Sequence, residues 1–284
     1  RVVACDRERP RDEAEEIARR RAAGDPLGPL AGLPITIKDS FEVVGMPATC
    51  GFQHLREHRP QQDADAVLRL RQAGANIFGK TNLPAGASDW QSFNPVYGMS
   101  RNPWNPDRTV GGSSGGAAGA VAAGFTSFEL GSDIGGSIRI PSHFCGVFGH
   151  KPTYGLVPTR GQIPPPPGML SQPELGVAGP IARSAEDLAF LLPILAGRDL
   201  APPRHGRLAE FRIGVWMGQD AYRVDSAYRE ALEDYLEELR KAGASIEEVS
   251  LPVDPLGSYE TYLQVLFAIV GAPAPQEAEA FERL

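Results

Sequence analysis

Two glycine–serine stretches decide how this chain is read: Gly111-Gly112-Ser113-Ser114-Gly115-Gly116, and Gly131-Ser132-Asp133-Ile134-Gly135-Gly136-Ser137-Ile138-Arg139-Ile140-Pro141. A flexible linker between them would be polar. The intervening residues are instead rich in Ala, Gly and Val, as expected of a closely packed segment. Glycines beside serines allow backbone conformations closed to other residues and let a ligand approach main-chain N–H groups. A turn at Ile134-Gly135-Gly136-Ser137 can aim several such donors at one point, next to a serine hydroxyl. That is the arrangement an oxyanion hole with a built-in nucleophile requires.

Outward from these stretches, strands and helices alternate. Residues 12–23 predict an exposed helix, with Glu15 and Glu16 four residues before Arg19 and Arg20. Leu33–Lys38 reads as a short strand that ends on a lysine and an aspartate. Asp65 is the expected N-cap of a helix that stops at Gly74, and Ile77-Phe78 resumes as a strand. Ser184-Ala185-Glu186-Asp187 resembles a capping box ahead of an apolar helix, with a kink expected at Pro193. The pattern returns at Phe211–Trp216, in a helix capped by Asp225, and at Ile246–Val249. In that helix Tyr228, Ala231, Leu232, Tyr235, Leu236 and Leu239 share one face. Short, glycine-stopped joints between the elements argue for an α/β class with a partly parallel sheet.

The chain has 284 residues, roughly two domains' worth by length alone, with 42% hydrophobic and 22% charged residues, so wholesale disorder is excluded. Its formal net charge of −7 argues against a general nucleic-acid binder. Glycine (32) and proline (26) make up about a fifth of the chain, well above ordinary usage near 12%. Cys5, Cys50 and Cys145 are odd in number and lack C-x-x-C spacing, which excludes a disulfide framework or zinc site and fits a reducing compartment. No apolar run is long enough to cross a bilayer, and the start does not read as a signal peptide. The expected location is the cytoplasm.

Three simpler motifs are set aside. Gly74-Ala75-Asn76-Ile77-Phe78-Gly79-Lys80-Thr81 satisfies the phosphate-loop pattern, but a helix precedes its first glycine and a strand-like pair lies inside it, the reverse of what such a loop needs. His54 and His58 have helical spacing without a third ligand, so no metal site is expected. Gly111–Gly115 and Gly112–Gly116 each satisfy G-x-S-x-G, but their serines lie in a double-glycine loop and not at the sharp strand-to-helix turn that a nucleophile elbow needs, so that motif is not supported.

A serine nucleophile needs a base, and neither glycine stretch contains a histidine. Lys38 in Gly32-Leu33-Pro34-Ile35-Thr36-Ile37-Lys38-Asp39, the 111–116 stretch, and residues 131–141 leading into Cys145-Gly146-Val147-Phe148-Gly149-His150-Lys151-Pro152-Thr153 together resemble the amidase signature family. The resemblance runs from about residue 28 to 200 and more weakly through 211–250. It implies a mixed, largely parallel β-sheet flanked by helices on both faces. It also implies that residues 1–284 are part of one larger domain and that the chain is incomplete at both ends. The catalytic core would be about 28–200, and the strand–helix–strand segment at about 208–252 would belong to the same sheet or a subdomain.

The resemblance further implies a Ser–cis-Ser–Lys triad. Ser137 falls at the nucleophile, Ser113 at the bridging serine that follows a cis peptide, and Lys38 at the base. The backbone N–H groups of Ile134, Gly135, Gly136 and Ser137 fall at the oxyanion hole. Asp133, Arg139 and Ser114 fall at supporting positions, and Trp90 and Gly112 are the expected substrate contacts. The residues alone leave open whether Trp90, Phe93, Tyr97 and Met169 line a pocket or simply pack the core. No cofactor or metal is implied. The expected ligand is a small-molecule amide, the expected assembly a homodimer, and neither nucleic acid nor membrane is contacted directly.

The chemistry is coherent. A lysine brought from about 10.4 to about 7 needs roughly 4.6 kcal/mol in favour of its neutral form, and burial can shift a lysine by about 3–5 units. The implied activity is hydrolysis of carboxylic amides through an acyl-Ser137 intermediate. The alternative is the family's glutaminase component of a tRNA-dependent amidotransferase. Leu175-Gly176-Val177-Ala178-Gly179-Pro180 lacks the polar residue expected of that subgroup, and Trp90 with Asn94-Pro95-Val96-Tyr97 favours a general amidase. A third reading is an inactive scaffold with the same fold, against which the intact Lys38, Ser113 and Ser137 argue.

Overall fold

Glycine stops and apolar alternation set the order of elements. The computed structural model describes residues 1–6, 8–163, 174–218 and 223–270, the side chains of 269 and 270 excepted. The tetraproline 164–167 and Met169 lie outside the described residues. The chain divides into two compact units, one ending at residue 199 and one beginning at residue 200.

The first unit runs β1 (Val2–Cys5), α1 (Arg9–Ala23), β2 (Pro34–Lys38), α2 (Asp65–Gln72) and β3 (Asn76–Thr81). It continues through the short strands β4 (Phe93–Asn94) and β5 (Gly98–Met99) to α3 (Gly115–Ala122), β6 (Glu129–Asp133) and α4 (Arg139–Cys145). It closes with β7 (Phe148–Gly149), β8 (Val177–Ala182) and α5 (Ala185–Ala196). Six strands form one sheet in the order β1-β3-β2-β6-β8-β7. Its centre, β3-β2-β6, is parallel, because α2 and α3 serve as crossovers. The outer strands are antiparallel: β1 to β3, and β8 to both β6 and β7. The sheet is thus mixed, with its parallel part where Lys38 sits.

Period-2 alternation assigns the faces. Ile35, Ile37, Ile77, Leu130, Ala178 and Ala182 pack with Val67 and Leu70 of α2 and Leu191 and Leu195 of α5. On the other face, Ile138 and Ile181 pack with Ala117, Ala118 and Val121 of α3 and Cys145 of α4. Each buried aliphatic side chain contributes about 1.5–3 kcal/mol. That second face also carries a polar row, because Thr36 and Lys38 alternate with Ile35 and Ile37, and Glu129 lies in register with Thr36. Fully buried polar groups of this kind survive only with partners.

Local signals are met with one shift. Ser184 accepts the Asp187 N–H at 3.0 Å, and α5 continues through Pro193 to Ala196. Asp65, the expected N-cap of α2, is instead its first helical residue; Ala64 holds the cap position, and the Asp65 carboxylate accepts from Arg160. Its side chain is drawn to a cation rather than back to the helix N–H groups. The phosphate-loop pattern falls on β3, with Lys80 inside the strand and fully buried.

The second unit holds β9 (Arg212–Val215), α6 (Ser226–Lys241), β10 (Ser245–Glu248) and α7 (Pro255–Val270). Strands β9 and β10 pair in parallel as a separate two-stranded sheet. Asp225 caps α6 by accepting the N–H groups of Ala227 and Tyr228, as its sequence indicates. Leu232, Leu236 and Leu239 on the predicted face are half-buried, whereas Tyr228 and Tyr235 are exposed. No described helix is long and apolar enough to cross a membrane.

Candidate active site

Lys38 ends the central strand β2, and its side chain leaves the sheet on the face covered by α3. It is fully buried. Nζ donates to three serine hydroxyls: Ser113 at 2.7 Å, Ser114 at 3.0 Å and Ser132 at 3.0 Å. Hydroxyls can accept from an ammonium and also donate to a neutral amine, so the cluster can hold either form. Burial pulls the Lys38 pKa down to about 7, against the opposing influence of Cys50, Asp133 and Glu129.

The two glycine–serine stretches meet here. The Ser114 N–H donates to the Ser137 carbonyl at 3.0 Å, joining the loop before α3 to the loop before α4. Both serines are buried, as is Ser113, and the peptide between Gly112 and Ser113 is cis. Ser92 holds the first loop from behind: its hydroxyl donates to the Gly111 carbonyl at 3.0 Å and accepts the Gly115 N–H at 3.1 Å. The glycines are spatial requirements. A Cβ on Gly112 would stand 2.6 Å from the Asp89 carbonyl, and one on Gly131 would stand 3.0 Å from the Ser114 hydroxyl.

Asp133 organises the second loop. Its carboxylate accepts the N–H groups of Gly136 (2.8 Å) and Ile138 (2.9 Å) and two guanidinium N–H groups of Arg139 (3.1 and 2.9 Å). Burial alone would raise the Asp133 pKa, but Arg139 and the backbone donors together bring it below the ordinary carboxylate value. The loop turns at Gly136, whose φ of +106° disfavours any side chain. The Gly136 N–H donates to this carboxylate inside the loop, so the bond holds the turn in shape.

Trp90 reaches the same loop, its indole N–H donating to the Gly135 carbonyl at 3.1 Å, with 59% of the residue exposed. Gly112 packs against the Trp90 backbone. Phe93 is half exposed and Tyr97 partly buried; the serine cluster is built without either. Ser132 and Glu129 have no role that the sequence alone assigns. Both residues lie in β6 and come close to Lys38 through the pairing of β6 with β2, which no local sequence signal records. Among the described residues no group of three or more His, Cys, Asp and Glu is placed to hold a metal ion.

Known proteins share this fold and much of its sequence. The family model described as Amidase matches residues 1–277. The glutamyl-tRNA(Gln) amidotransferase A-subunit of Carboxydothermus hydrogenoformans is 38% identical over 255 residues, covering 84% of this chain and 51% of the relative. The protein of the same name from Symbiobacterium thermophilum is 37% identical over 285 residues, 95% of this chain and 56% of its own length. A solved structure described as an amidase superposes with a TM-score of 0.82 at 38% identity, over 95% of this chain and 59% of that one. The chain spans about half the length of the curated relatives it matches. With the family model matching nearly end to end, the chain belongs to the amidase signature family.

Proposed function

We propose that this chain carries the catalytic core of an enzyme that hydrolyses carboxylic amides by acyl transfer through Ser137. The observation that carries the reading is a fully buried Lys38 whose Nζ lies 2.7 Å from Ser113 Oγ, with its pKa drawn down to about 7 by burial. Neutral Lys38 accepts the Ser113 proton as Ser113 accepts that of Ser137, and Ser137 attacks the amide carbonyl. The proton returns along the same path to the departing nitrogen, ammonia or an amine leaves, and water then cleaves the acyl-enzyme to the carboxylate. The backbone N–H groups of Ile134, Gly135, Gly136 and Ser137 are the donors proposed to stabilise the oxyanion. In this reading residues 1–284 are part of one larger domain, and the ligand is a small-molecule amide.

The names of the curated relatives weigh toward the glutaminase alternative, in which glutamine supplies ammonia to a tRNA-bound acceptor through partner proteins. The sequence features set against it carry little weight in the fold. Val177–Ala182 is strand β8 with all six residues buried, so its apolar character answers to packing rather than to substrate. Asn94 is buried and donates to the Asn82 side chain and the Leu83 carbonyl, both at 2.7 Å, a structural role. The general amidase reading keeps the support of the amidase structure at 38% identity. Ammonia release from glutamine, assayed against a panel of other primary amides with and without candidate partner proteins, separates the two. Fluorophosphonate labelling mapped by mass spectrometry tests the shared chemistry. Labelling that persists in Ser137→Ala or is undiminished in Lys38→Ala defeats it, and no labelling at all favours the inactive scaffold.

A further inference from the structure

Glu129 opens strand β6 with no solvent exposure, and the acyl-transfer steps leave it unused. It pairs in parallel register with Thr36, whose hydroxyl donates to Glu129 Oε1. Lys38 follows Thr36 by two residues, so its side chain leaves the same face of the sheet. It is thereby the diagonal neighbour of Glu129 across the β2–β6 ladder, at a spacing of roughly 7–8 Å. Helix α3 covers this face with glycine, alanine and valine and brings no ionisable group to it.

The other anions near Lys38 are occupied or absent. Asp133 is held by Arg139 and the loop N–H groups. Asp39 lies 3.5 Å from the Lys80 ammonium. Burial pushes the Cys50 thiol up to about 12, so it is neutral. The groups acting on Glu129 are Thr36 from β2, Thr81 and Lys80 from β3, and the α-amino group of Arg1, while Glu129 in turn acts on Lys38. Strand β8, on its other side, presents no ionisable side chain.

We propose that Glu129 is a positioning residue that sets the pH at which Lys38 becomes a base: its ionised carboxylate keeps the proton on Lys38, and its neutral form lets that proton go. Burial raises the Glu129 pKa to about 7 and lowers that of Lys38 to about 7, with the Glu129 charge opposing the fall at Lys38, so ionisation of this carboxylate overlaps the acid limb of reactivity. The proposal rests on Lys38 acting as base for Ser137.

The test is Glu129→Gln, which keeps the shape and the acceptor for Thr36 while removing the charge. The readout is the pH dependence of Ser137 modification by a fluorophosphonate in the intact protein. The expected result is an acid limb displaced downward by about one pH unit, with a high-pH plateau within about threefold of the parent. If Glu129→Gln does not fold, Thr36→Val asks the same question. Loss of the hydroxyl that favours the ionised carboxylate shifts the limb in the same direction. A parent limb that depends on Lys38 but does not move in the folded variant overturns the role of Glu129 alone. A parent whose Ser137 labelling has no limb tied to Lys38 overturns the reading beneath it.

Discussion

Arg139 grips Asp133 through two nitrogens, Nε at 3.1 Å and Nη2 at 2.9 Å, from the opposite end of the loop that carries Ser137. The carboxylate is fully buried while 55% of the arginine side chain is exposed, so the pair closes the loop like a clasp at the protein surface. Because the Asp133 carboxyl lies below its ordinary value, its contribution is complete above about pH 4 and is lost only as pH falls through that depressed value.

Asp133→Ala leaves the Arg139 guanidinium and three backbone N–H groups, of Gly136, Ile138 and Arg139, without their acceptor. It is expected to lower stability by about 2–3 kcal/mol and to abolish Ser137 labelling, measured by thermal unfolding and mass spectrometry. Arg139→Gln, whose partner site is partly solvated, should cost about 1 kcal/mol and leave labelling detectable.

Lys38 supplies the second prediction. In the proposed mechanism Lys38 acts in its neutral form, so with a pKa drawn down to about 7 the rate of Ser137 modification is expected to rise with pH and to be half-maximal near 7. Lys38→Arg preserves the charge and approximate length but stays protonated. It should lose about 10²–10⁴ in rate at pH 8, as general-base removal does, and show no acid limb. A Lys38→Arg variant with the parent's limb would assign that limb to another group. The folded state holds fewer protons than the unfolded state between about 7 and the ordinary lysine value. Stability attributable to this group therefore rises with pH across that window.

What is legible in the sequence is what the local code specifies. Lys38 at a strand end, the glycine stops after α2 and α6, the caps at Ser184 and Asp225, and a partly parallel sheet follow from periodicity and turn chemistry, whereas the mixed character of the sheet is what the resemblance implies. The family resemblance adds the roles assigned to the serines. What is not legible depends on residues brought together only by the fold. Ser132 contacts a lysine 94 positions away, and Gly136 spends its N–H on a carboxylate three residues back. Leu175–Pro180 invites a reading for substrate preference, yet most of it is a strand sealed in the core, where packing dictates composition. A sequence window does not record which side of a buried sheet it will face.

Helix α3 offers a contrast between two of its glycines. A Cβ on Gly116 would stand 2.3 Å from the Asn82 nitrogen and 2.4 Å from its carbonyl oxygen, main-chain atoms of the segment following β3. Gly119 would meet only the Val110 methyl at 3.5 Å and Pro103 Cδ at 3.9 Å, ordinary contacts. Gly116→Ala is expected to destabilise by about 3 kcal/mol, and Gly119→Ala to stabilise by about 0.5–1 kcal/mol through reduced unfolded-state entropy. Denaturant midpoints decide both, and a tolerated Gly116→Ala would contradict the close approach of α3 to the sheet.

Trp90 separates loop support from substrate contact. Its indole N–H bonds the Gly135 carbonyl at 3.1 Å, while more than half of the residue faces solvent beside the serine loop. Trp90→Phe removes the hydrogen bond and keeps most of the ring. A single partly solvated bond is worth about 0.5–1.5 kcal/mol, so reactivity should fall roughly two- to tenfold for every substrate alike. Trp90→Ala also removes the exposed aromatic surface. If that surface contacts the acyl group, KM should rise more for large acyl amides than for small ones, with kcat changing as in Trp90→Phe. Equal losses across acyl sizes in both variants would confine Trp90 to holding Gly135 in place.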